Sequence, residues 1–169
     1  MKKILFSLLF ICNSVFANPT VFGLTIGETT VEQLKNTYHV SLKGINKYSQ
    51  GEMYQIPQSQ IQFEGISDVT TIFNRSNKLV AVLAELPKSK FDYLNETLAK
   101  KYQLVNQKLP FVGNKLVTYR SGDAEITLNA PHMGFQLSMN YIHTDLLKSF
   151  NSQSEREQEK KRQQESSML

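Results

Sequence analysis

The chain has 169 residues, with 19 Lys+Arg against 15 Asp+Glu, 40% apolar residues, no Trp and a single Cys. That length suits one domain, and the apolar fraction supplies one modest core, which excludes wholesale disorder. The formal charge of +4 falls to 17 basic against 15 acidic residues once the terminal Lys2 and Lys3 are set aside, and no basic stripe marks a nucleic-acid face.

Those two lysines open an N-terminal segment of distinctive order. The apolar run Ile4 to Ile11 follows them, then the polar stretch Cys12-Asn13-Ser14 and the small-residue site Val15-Phe16-Ala17. This is the pattern of a secretory signal cleaved after Ala17, because the apolar run enters the translocation path and the peptidase needs small side chains beside the cut. A spanning helix needs roughly 20 apolar residues, about twice this run, so no membrane insertion is expected after cleavage. Bacterial lipoprotein signals place a small residue before their Cys, whereas Cys12 follows the bulky Ile11. The mature chain is therefore expected to be periplasmic and free of Cys, which leaves no disulfide, thiol chemistry or Cys-ligated zinc.

Val21 to Gly27 reads as a short extended lead-in. Thr29 and Glu32 have capping-box spacing, and Val31, Leu34 and Tyr38 share one helical face. Residues 40–48 look irregular. From about 52 to 86 the period becomes two: Ile61 and Phe63 alternate with polar neighbours, as do Val69, Thr71 and Phe73. The loop 74–78 then makes a hairpin into the run Leu79 to Leu86, whose apolar residues on both sides suit a central strand. Phe91, Leu94, Leu98 and Tyr102 predict a helix over about 89–102. A linker with Pro110 and Gly113 leads to three strands at about 115–120, 124–129 and 134–142.

A third helix is expected to start at Thr144 or Asp145, anchored by Leu146, Leu147 and Phe150. The apolar residues stop after Asn151, so 18–151 reads as the domain and 152–169 as a charged polar tail, either a helical extension or disordered. The predicted class is α+β: an antiparallel sheet with two or three helices packed on one face, and a possible helix-plus-strands pseudo-repeat.

Catalytic signatures are sparse. The chain has no G-x-S-x-G, no phosphate loop, no H-E-x-x-H and no dinucleotide turn. His39, His132 and His143 are too scattered for zinc, and Glu64, Asp68, Asp123 and Glu125 have ordinary structural roles as surface or turn residues. We therefore expect no enzyme activity, cofactor or metal. Leu109-Pro110-Phe111-Val112-Gly113 stands out as a charge-free apolar stretch in a loop. It either closes the core or forms an exposed patch for a partner, with Phe111 and Val112 as its centre and Arg120 and His132 as its rim.

The segment Phe22-Gly23-Leu24-Thr25-Ile26-Gly27-Glu28-Thr29-Thr30-Val31-Glu32-Gln33-Leu34 resembles the opening of BamE/SmpA-type envelope proteins, a hydrophobic–Gly–small pattern leading into a helix. That resemblance implies helices on one face of an antiparallel sheet. The later pattern Phe91…Leu94…Leu98…Lys101-Tyr102, Ile126-Thr127-Leu128 and Leu137…Tyr141 is similar to small Gram-negative periplasmic proteins of unknown function, which implies location and fold. The expectation from sequence is a soluble periplasmic accessory or binding module whose partner is another envelope protein. The alternative is an inhibitor or immunity protein that blocks an envelope-targeting enzyme.

Overall fold

A computed structural model of the protein describes residues 17–168, so the expected leader, residues 1–17, lies outside the described residues except for Ala17. A short hairpin, β1 (Thr20–Val21) and β2 (Leu24–Thr25), precedes helix α1 (Val31–Thr37). The capping box is Thr30 with Gln33, one residue later than Thr29 with Glu32. The Thr30 hydroxyl accepts from the Gln33 N–H at 3.2 Å, and the Gln33 side chain accepts from the Thr30 N–H at 2.8 Å. Thr29 is instead buried, where its hydroxyl accepts from the Thr25 N–H. Tyr38 leaves the helix in an extended conformation and donates its hydroxyl to the Phe22 carbonyl at 2.7 Å, which ties the helix end to the hairpin.

Four strands follow: β3 (Ser41–Ile45), β4 (Gln50–Gln55), β5 (Asp68–Asn74) and β6 (Leu79–Pro87). Helix α2 (Phe91–Ala99) then leads to β7 (Gln103–Lys108), β8 (Lys115–Ser121), β9 (Ala124–Ala130) and β10 (Gln136–His143), and α3 (Thr144–Ser166) follows β10 directly. Two stretches expected to be irregular are strands, β3 within 40–48 and β7 within the linker. The expected alternation at Ile61 and Phe63 lies in the β4–β5 connection, where Ile61 and Ile66 are buried without a strand.

The eight long strands form one antiparallel sheet in the order β3-β4-β5-β6-β10-β9-β8-β7. Each half is therefore a helix followed by a four-stranded meander, and the halves join through their last strands. One row of paired residues crosses the whole sheet: Ser41, Gln55, Thr70, Leu83, Asn140, Thr127, Thr118 and Asn106. A twofold axis at the Leu83–Asn140 pair exchanges the halves. The mirrored pairs Ile72–Ala81 and Asn129–Ser138 fit it, as do Asp68–Glu85 and Glu125–Ile142. The pseudo-repeat is thus a property of the fold, carried by pairing register.

Helices α1 and α2 pack on one face. Leu34, Phe91, Leu94 and Leu98 join Phe73, Val82, Leu86, Tyr119, Ile126 and Leu128 in the main core. Full burial of each such side chain contributes roughly 1.5–3 kcal/mol. Helix α3 lies on the opposite face, where Leu146 packs on Ile72, Val80 and Ala81 and the Phe150 ring meets Tyr48 edge-on at 5.0 Å. Two helices thus share a face and the third does not. The reason is the patterning of β5 and β6, which places Ile72, Val80, Ala81 and Leu83 on the outer side of the first half.

Candidate binding surface

The outer face is covered by α3 in one half only, and the residues on the row through Ile72 decide which. In the first half that seat holds Met53, Ile72 and Ala81, with Ile142 beside them. The twofold replaces these by Leu116, Asn129, Ser138 and Glu85. Leu116 and Asn129 are exposed, and Glu85 and Ser138 are half-buried. The second half of the outer face is therefore an uncovered polar surface on β7–β10.

A groove of about 560 Å³ opens at the edge of that surface, lined by Glu85, Pro131, Gly134, Phe135, Gln136 and Ser138. Glu85 pairs across β5–β6 with Asp68. Burial, reinforced by the Asp68 charge, pushes the Glu85 carboxyl above its ordinary value. Asp68 itself accepts from Gln55 at 2.6 Å and Thr70 at 3.0 Å and lies 4.0 Å from the Lys43 ammonium.

Beyond the groove, two hairpin loops project from the same end of the sheet. The β7–β8 loop carries Phe111 and Val112, and the β9–β10 loop carries His132. The His132 N–H donates to the Asn114 side-chain oxygen at 2.7 Å, which ties the loops together. Phe111 is 103% exposed and Val112 66%, so this stretch does not close the core. The second loop adds Met133 at 90% and Phe135 at 95%. Sequence reasoning missed these two, although Pro131-His132-Met133-Gly134-Phe135 is as free of charge as 109–113. The signal that unites the loops is the β8–β9 register, Lys115 opposite Ala130.

Arg120 does not rim this cluster. It lies at the far end of β8, five residues from Lys115 and thus roughly 16 Å away at strand rise. There it is ion-paired with Glu125 at 3.2 Å. Lys88 takes the expected place of Arg120: its ammonium donates to the Pro131 and His132 carbonyls and fixes the β9–β10 loop.

Other polar groups have structural partners. Glu64 pairs with Lys90 at 3.0 Å, which holds its carboxyl below the usual range. The Tyr119 hydroxyl donates to Asn95 and joins β8 to α2. Tyr141 is pushed well up by burial next to Tyr102. His143 accepts from the Asp145 N–H at the start of α3, beside a pocket of about 290 Å³ that Gly27, Tyr48 and Lys78 also line. Among the described residues, no three His, Cys, Asp or Glu side chains group as a metal site. Nor, among those residues, is any helix long and apolar enough to cross a membrane. Against protein-family models, curated proteins and solved structures, the chain gives no match.

Proposed function

We propose that the protein is a periplasmic recognition module that acts by binding another envelope protein, without catalysis. The observation that carries this reading is the unequal cover of the two halves: the outer face is closed by α3 over β4–β6 and open over β8–β10. The open half offers short side chains (Thr118, Thr127, Asn129, Ser138 and Asn140) whose hydroxyl and amide groups hydrogen-bond a partner at little ordering cost. Four strands at about 4.8 Å spacing make a platform roughly 20 Å across, and the adjoining groove supplies a recess. With strands of seven or eight residues that is roughly 480 Å² of face, a little over half of one side of a standard protein interface, about 800 Å².

A photoreactive residue placed at Thr127 tests this reading in intact cells, with one at Glu32 on the exposed side of α1 as the control. A discrete protein adduct from position 127 that is absent from position 32 and lost on Ser138→Arg is the expected result. Equal adducts from both faces, or none from position 127, would refute it.

A further inference from the structure

We propose that the β7–β8 and β9–β10 loops form a docking tip for an anionic phospholipid surface, on which the domain rests without spanning it. This goes beyond the recognition reading, which uses the sheet face rather than the tip. Five apolar side chains stand on the two tied loops: Leu109, Phe111, Val112, Met133 and Phe135. Phe111 and Phe135 have almost none of their surface covered by their own protein. Large apolar side chains held free on loop ends cost solvation in water and gain it at an acyl boundary.

The charges nearby select the occupant. Four segments meet at this end, 64–67, 87–90, 108–115 and 130–136, and they contain Lys88, Lys90, Lys108 and Lys115 against one acid, Glu64. Lys90 and Lys115 are shared with Glu64 and Asp92, at 3.0 and 3.8 Å. Among the described residues, Lys88 and Lys108 are in no ion pair. Glu85 lies behind Phe135 on the sheet side, in the groove. The tip itself is thus apolar with a cationic collar, complementary to lipid headgroups carrying phosphate.

The spacing fits as well. Phe111 lies three residues past Lys108, so it reaches at most about 10 Å beyond the collar. An interfacial element buries its apolar face by roughly 5–10 Å, which sets the lysines at headgroup level when the rings reach the acyl boundary. All five apolar groups lie at one end of the strands, so they enter together with the strands standing on the surface.

The test uses the chain starting at Asn18, which keeps every element of the fold and removes the apolar run 4–11 as a competing lipid ligand. Its partition is measured by flotation with vesicles of phosphatidylethanolamine and phosphatidylglycerol, and with vesicles of phosphatidylcholine alone. Binding to the phosphatidylglycerol vesicles that weakens with salt and on phosphatidylcholine is expected. Phe111→Ser and Met133→Ser should each lower the partition coefficient roughly tenfold. Lys108→Gln should lower it on the anionic vesicles only. Because these side chains are exposed, circular dichroism of each variant should match the parent. No binding to anionic vesicles, or binding unchanged by Phe111→Ser and Met133→Ser, overturns the proposal. Loss of a protein adduct on Phe111→Ser without vesicle binding also overturns it, and assigns the tip to a protein partner. Ser138→Arg should leave vesicle binding intact, so failure here and failure of the sheet-face reading are separate results.

Discussion

Gly51 offers the sharpest test of the packing between β4 and β5. It is buried at the point where the register of that pair shifts, between Gln50 and Met53. A Cβ at Gly51 falls 2.6 Å from the Asn74 carbonyl oxygen and closer still to the Phe73 carbonyl. The opposing atoms are backbone, so no side chain can rotate away and β4 must move off β5 by roughly 1 Å. Overpacking of this kind costs about 1–3 kcal/mol, and each strained ladder hydrogen bond adds about 1 kcal/mol. Gly51→Ala should therefore lose about 3 kcal/mol, or roughly 6–12 °C in Tm for a domain of this size. Urea and thermal unfolding followed by far-ultraviolet circular dichroism measure it. Gly134→Ala is the matched control, since nothing lies within 4 Å of its Cβ and its φ is not positive. It should stay within about 0.5 kcal/mol of the parent. A Gly51→Ala protein as stable as the parent, or a Gly134→Ala loss of equal size, would show that the close approach of β4 to Phe73 is wrong.

Two further changes probe charge and the tail. Glu85 titrates above its ordinary value of 4.5, because of burial first and the Asp68 charge second. Between 4.5 and that raised value the folded protein holds a proton that the unfolded chain has released, so stability falls as pH rises through the window and stays lower above it. Glu85→Gln should thus be more stable than the parent at neutral pH, with the gain disappearing below pH 4.5; a difference in urea midpoint that is the same at both pH values refutes it. Truncation after Asn151 removes the part of α3 that carries no buried residue and only the exposed Lys47–Glu157 pair, at 3.4 Å. It should cost less than about 1 kcal/mol, and cooperative unfolding with an unchanged midpoint is the expected trace.

What was legible in the sequence follows burial closely. The run Leu79 to Leu86 announced a central strand because it is buried on both faces, and β6 does lie between β5 and β10. Helix α2 showed through Phe91, Leu94 and Leu98, all buried at helical spacing. The two strands that were not legible, β3 and β7, are the two edges of the sheet. Every residue of β7 is exposed, β3 has no buried residue, and both are bulged, so neither carries an alternating apolar face. They are strands because a neighbour pairs with them, which no local pattern records. The same limit applies to the surface. Phe111 and Val112 were marked by the absence of charge around them, whereas their meeting with Met133 and Phe135 depends on hairpin register. Arg120 was misplaced because strand length, and not sequence separation, sets which ends are neighbours.

The pseudo-twofold turns that limit into an explanation of how the halves differ. Between residues the register matches, identity is nearly absent; Thr70 and Thr127 are an exception on the central row. What differs systematically is the chemistry of the α3 seat. If α3 lay on the second half instead, Leu146 and Phe150 would meet Asn129, Ser138 and Glu85 in place of Ile72, Ala81 and Ile142. Three polar groups, one a carboxylate, would then be buried without partners, at roughly 1–3 kcal/mol for each neutral group and more for the charge. The polar residues of β6, β9 and β10 therefore keep the chain's own helix off this half. A partner that supplies hydrogen-bond donors to those same groups meets no such penalty. One scaffold used twice thus yields a closed half that anchors α3 and an open half whose outer face is polar.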